Sequence, residues 1–180
     1  VHRSIAEFLG ARFLAALIDS QGLPLGRVLA LMAGNDGGIV SDLRGLAAWL
    51  AVHGRSARSE LIAREPLGIV LYGDVRDFPP DDKRRVLTAL RGEAERYPNF
   101  RSRDWTAAPF GALATPNMAP VFAELLAAPS RTEADLAILD CALDALRFGP
   151  PLHELGTDAA RLEALLDRAL RDASYPEFIR

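Results

Sequence analysis

The chain has 180 residues, 49% of them apolar and 25% charged, with a formal net charge of -3 and a single cysteine, Cys141. That balance excludes a disordered chain, and no apolar run approaches the roughly 18 residues of a membrane-spanning helix. One cysteine allows neither an internal disulfide nor a cysteine-built zinc site and fits a reducing compartment, read as the cytoplasm, while the net acidity argues against nucleic acid as a partner.

The elements read as helices in chain order. Residues 3–19 place Ile5, Phe8, Leu9, Ala16 and Leu17 on one apolar stripe, with Gly22 as the stop. Pro24 opens a short helix through Met32, and Gly34-Asn35-Asp36-Gly37-Gly38 breaks it as an exposed turn. Ser41 is placed to cap a helix through Val52, with Leu43, Leu46, Ala47 and Leu50 inward, Arg44 outward and Gly54 at the end. Residues 56–64 form another helix, closed at Glu65-Pro66. Residues 67–72 fit a buried strand or a short buried helix by periodicity, and the absence of a partner strand favours helix.

Pro79-Pro80-Asp81-Asp82 starts a longer helix through Tyr97, striped by Val86, Leu87, Leu90 and Ala94. The pattern between Pro98 and Pro116 is irregular and leaves room for a short helix. Residues 117–128 resume apolar spacing. Ser130-Arg131-Thr132-Glu133 then reads as a capping box for a helix carrying Leu136, Leu139, Leu143 and Leu146, which Gly149-Pro150-Pro151 ends. Thr157 is placed to cap the last complete helix, whose face is Leu162, Leu165, Leu166, Ala169 and Leu170. The expected fold is all-α, with stacked antiparallel helix pairs of the HEAT or armadillo type; a compact helical bundle is the alternative. The first residue is Val, and Tyr175-Pro176-Glu177-Phe178-Ile179-Arg180 looks like a helix cut in its first turn, so a piece of a longer protein is expected.

Catalysis finds no candidate residues. There is no glycine-rich phosphate loop ending in Lys-Ser or Lys-Thr, and Lys83, the sole lysine, sits between Asp82 and Arg84. His2, His53 and His153 are scattered, which suits no metal. Asp140 and Asp144 share a helix face and read as a solvated surface. Cys141 reads as a buried small hydrophobe. The stretch from Arg96 to Trp105 interleaves arginine with aromatics, making Arg96, Phe100, Arg101, Arg103 and Trp105 a candidate binding patch of the kind that stacks and neutralises single strands. The plainer reading, in which Phe100 and Trp105 pin a connection while the arginines stay wet, is preferred.

Val1-His2-Arg3-Ser4-Ile5-Ala6-Glu7-Phe8-Leu9-Gly10-Ala11-Arg12 resembles the motif that follows the nucleotide-binding core in NACHT-type NTPases of the STAND class, an apolar-x-His-x-Ser/Thr-apolar-x-Glu-Tyr/Phe-Leu-Ala/Gly-Ala pattern. The resemblance covers about the first seventeen residues. Residues 43–51 and 67–74 are similar, less specifically, to the helical region of bacterial members. The resemblance implies that ATP or ADP, with magnesium, is bound by a preceding domain, and that His2 reaches the nucleotide phosphates from a winged-helix segment. It also implies that residues 1–38 end that segment and that residues 39–180 form a helical-repeat-like domain. The chain itself would hold no cofactor and act as a non-catalytic arm whose partner is the upstream domain of the same protein, with other proteins beyond it. The alternative function is a helical-repeat scaffold that binds a protein or peptide without nucleotide dependence.

Overall fold

The computed structural model describes residues 2–101, 106–128 and 132–171. Among them the chain forms nine α-helices and four short 3-10 turns and no β-strand, the nearest approach to one being a single antiparallel bridge between Ala33 and Ile39. The expected all-α class holds. No helix among the described residues is long and apolar enough to cross a membrane. The chain divides into two compact units, Val1–Ala89 and Leu90–Arg180; the Gly34–Gly38 loop lies inside the first. The expected cut helix after Ser174 lies outside the described residues.

The first unit contains α1 (Arg3–Gln21), α2 (Leu25–Met32), α3 (Arg44–His53), α4 (Arg55–Arg64), α5 (Pro66–Tyr72) and the start of α6 (Pro80–Arg96). Its centre is α3, which packs against α1, α4 and α5. Ala47, Ala48 and Ala51 are fully buried there, and such small side chains let helices approach closely. Residues 67–72 are helical, as expected. The Glu65 side chain caps α5 by accepting from the Gly68 N–H at 3.1 Å, Pro66 occupies the first turn, and Leu67, Ile69 and Val70 are buried around the helix. Gly22 ends α1 in the left-handed conformation at φ 71°, the geometry glycine adopts without a Cβ penalty.

Lys83, at the start of α6, is buried. It is 2% exposed, and its Nζ donates to the Arg76 carbonyl oxygen at 2.6 Å, tying the loop before α6 to the helix's first turn. Burial lowers its pKa, opposed by the nearby Asp77 and Asp74 carboxylates. Val86, Leu87, Leu90 and Ala94 are all buried, as the stripe on α6 requires.

The second unit contains the rest of α6, 3-10 turns at Ala108–Leu113 and Pro116–Met118, α7 (Ala119–Ala127), α8 (Glu133–Phe148), a third turn at Leu152–Asp158 and α9 (Ala159–Arg171). The short helix expected between Pro98 and Pro116 is the Ala108–Leu113 turn, which packs on α8; α7 packs against α9. Phe110, Leu113, Met118, Phe122 and Leu139 make its buried centre.

Several helix starts differ from the expected ones. The capping box at α8 uses Thr132 and Asp135 rather than a serine and Glu133, because α8 begins at Glu133 and the third helical residue is therefore Asp135. Ser41 is the first residue of a 3-10 turn, Ser41–Leu43, leading into α3, and Thr157 lies within the Leu152–Asp158 turn. Leu170, placed on the inner face of α9, is 58% exposed.

Candidate functional site

The motif residues at the start of the chain divide between two sides of α1. Ala11, Ala15 and Ile18 are buried against the first unit. Phe8 meets Trp49 edge-on at 5.1 Å and His53 at 4.8 Å. Glu7 accepts from Arg3 Nε at 2.8 Å and lies over Gly45, where a Cβ would come within 2.3 Å of its carboxylate. Glycine at position 45 thus admits the carboxylate. His2 is the exposed residue before α1; it makes no side-chain capping bond and its backbone is extended. The expected single stripe is corrected here: Ile5 and Leu9 lie outward, each 54% exposed, with Ala16 exposed beside them. The inner face is Phe8, Ala11, Ala15 and Ile18, because helical spacing from Phe8 runs through those positions.

His53 lies edge-on to Phe8 and stacked 6.0 Å from the Trp49 indole, and its buried Nε2 has no hydrogen-bond partner. Burial lowers its pKa below 6.5, reinforced by the charge of Arg12. A histidine held neutral in this way contributes stability above pH 6.5 and loses it as pH falls through the lowered folded-state value. His53→Phe is therefore expected to match the parent chain at pH 8 and exceed it at pH 5, read from urea midpoints across that range; an unchanged pH profile would refute the role of this imidazole.

Arg44, expected outward, is half-buried: its Nη2 and Nε donate to Glu65 Oε1 at 2.7 and 2.9 Å. The carboxylate that caps α5 is thereby also the partner of α3's first arginine.

In the second unit, Arg101 is drawn out of the candidate patch. Its side chain is 17% exposed and its guanidinium lies 4.5 Å from the centre of the Phe110 ring. Nη1 donates to Asp140 at 2.6 Å, and Nη2 makes a very short contact with Asp144. The expectation that Asp140 and Asp144 form a solvated surface is corrected at Asp144, which is 14% exposed, while Asp140 remains 41% exposed; the two carboxylates converge on one part-buried guanidinium because positions four apart share a helix face. The preferred picture of wet arginines fails at Arg101 for the same reason. Cys141, between the two acids, is fully buried with its thiol pushed up to about 12 by desolvation, as expected of an unreactive packing residue.

Arg96 is exposed, with its Nε donating to the Gly92 carbonyl at 3.2 Å, and Phe100 is half-buried. Arg103 and Trp105 lie outside the described residues. Phe100, Arg101, Leu136, Ala137, Glu133 and Asp140 line a surface cleft of about 550 Å³ in this unit. With the Arg101 charge held by two aspartates and Glu133 adding another acid, the cleft suits an apolar or cationic group better than a phosphate. No group of three His, Cys, Asp or Glu side chains able to hold a metal occurs among the described residues.

Compared with known protein families, curated proteins and solved structures, the chain matches none.

Proposed function

We propose that the chain is a non-catalytic helical regulatory arm of a larger NACHT-type NTPase of the STAND class, acting in the cytoplasm. The observation that carries this reading is the motif from His2 to Ala11 at the head of α1. Its residues Glu7, Phe8 and Ala11 anchor α1 to α3, while the His2 side chain stays exposed and makes no capping bond. An imidazole so placed can favour one phosphate state of a nucleotide held by a preceding domain and so bias the arrangement of the two. The packing of α3 against its near neighbours α1, α4 and α5 supports stacked helix pairs of the HEAT or armadillo kind as the finer fold.

The test is calorimetry with ATP and ADP on this chain and on a protein extended about 300 residues upstream, room for roughly two further domains. Only the extended protein is expected to bind. His2→Ala should weaken that binding by roughly tenfold or more, the worth of one charge-assisted hydrogen bond, without changing the stability of α1. Absence of binding by both proteins would sink this reading. It would advance the second one, a scaffold that binds a protein or peptide without nucleotide dependence, which the acid-lined cleft beside α8 favours.

A further inference from the structure

Three rings join α1 to the end of α3. Phe8 of α1 meets Trp49 edge-on at 5.1 Å and His53 edge-on at 4.8 Å, and the imidazole stacks on the indole at 6.0 Å. Around them α1 commits little else: of its 19 residues only Ala11, Ala15 and Ile18 are buried. The rings therefore carry a large share of the contact with α3, since an aromatic side chain buries far more area than an alanine. A helix held by so few large apolar contacts is the kind of element that opens locally while its unit stays folded.

His53 is the one member of the trio that changes charge near neutrality. Its Nε2 is buried without a hydrogen-bond partner, so an imidazolium would hold a charged N–H where no acceptor waits. The charged groups of the packed elements do not compensate. On α1, Glu7 accepts from Arg3, Asp19 accepts from the backbone N–H groups of Arg55 and Ser56, and Arg12 brings a like charge to bear on the imidazole. The carbonyl end of α3 would favour a cation. However, α4 begins with the cation Arg55, and its Arg58 already donates to the Ala51 and Val52 carbonyls at 2.8 and 2.9 Å. The remaining acids of the neighbouring segments are taken up as well: Asp42 lies with Arg3, Glu65 before α5 with Arg44, and Asp82 of α6 with Arg58 and Arg85. Among the described residues, a proton on His53 meets repulsion and gains no partner.

We propose that the Phe8–Trp49–His53 cluster is an acid-released latch: uptake of one proton by His53 loosens α1 from α3 while the rest of the first unit stays folded. Once α1 has moved away the imidazolium reaches water, so the proton itself biases the unit toward the open form. Opened, His53 takes up its proton at about pH 6.5; closed, it does so at a lower pH, because burial and Arg12 oppose the charge. The latch is therefore at full strength above pH 6.5. Below that, opening becomes more frequent as pH falls, by at most about tenfold per pH unit for a single proton. What opening bares is the apolar face of Ala11, Ala15 and Ile18.

Amide hydrogen exchange on the 180-residue chain tests it. Protection factors, corrected for the intrinsic pH dependence of exchange, are compared at pH 8 and pH 5.5 for the amides of α1 and of α5. Protection of α1 should fall by about threefold or more, within the limit set by one proton, while α5 keeps its own. His53→Phe takes up no proton there and should abolish the fall. Arg12→Glu replaces the like charge with a carboxylate and should at least halve it; Arg12 is exposed, so this variant keeps the packing even where His53→Phe disturbs it. Constant α1 protection across this range, an equal fall in α1 and α5, or an unaltered fall in either variant would each overturn the latch.

Discussion

Arg101→Ala is expected to destabilise the second unit by about 2 kcal/mol, between the scales of an exposed pair and of a fully buried ion cluster, since Asp144 is 14% exposed and Asp140 41%. The guanidinium is 17% exposed and neutralises Asp140 and Asp144 together, so its loss leaves two carboxylates on one face of α8 with nothing between them. Its removal also vacates the face of Phe110, a contact worth up to about 1 kcal/mol where solvent is excluded. An ordinary surface pair would cost under about 1 kcal/mol, so urea unfolding separates the two descriptions, and a loss that small would contradict the buried cluster. The pH dependence gives a second check. Burial raises the pKa of Asp140 above 3.8, opposed by Arg101. A carboxyl whose folded-state pKa is raised costs stability above that pKa and regains it as pH falls toward 3.8. Without Arg101 the rise is larger, so the deficit of the alanine variant should shrink on acidification. The triple variant carrying Arg101→Met, Asp140→Leu and Asp144→Leu should restore most of the stability, since an apolar cluster avoids the desolvation cost.

This cluster also marks where reading the sequence stops. Helix periodicity and the punctuation by glycine and proline carry the all-α class, because they act within a turn or two along the chain: Gly22, Glu65-Pro66 and Gly149-Pro150-Pro151 end helices as expected. The partners of Arg101 lie 39 and 43 residues away. No local pattern announces that pairing; the i,i+4 acids on α8 hint at it only once an arginine is known to face them. Lys83 was hidden similarly, because its acceptor is a backbone carbonyl, which every residue has. The outward face of α1 was legible in principle. Ile5, Leu9 and Phe13 have their own four-residue spacing, a second apolar line beside the inner one of Phe8, Ala11, Ala15 and Ile18.

Gly111→Ala should be at least as damaging, at about 3 kcal/mol or more, the upper range of overpacking. A Cβ there would lie 2.2 Å from the Phe148 carbonyl oxygen and 2.5 Å from its carbon. Both are backbone atoms at the end of α8, so no side chain can swing aside to admit the methyl group. The contact is what brings the Ala108–Leu113 turn against α8 and holds Phe110 under Arg101. Gly92 is the matched control, because a methyl group on that residue of α6 meets nothing within 4 Å. Gly92→Ala should therefore stabilise by up to about 1 kcal/mol through helix propensity alone. Parallel urea unfolding should show the two alanines acting with opposite sign; a Gly111→Ala cost below about 1 kcal/mol would mean the turn and α8 can part without penalty. Because displacing the turn also moves Phe110, the Gly111→Ala/Arg101→Ala pair should cost less than the sum of its parts, a coupling expected of residues that share one contact.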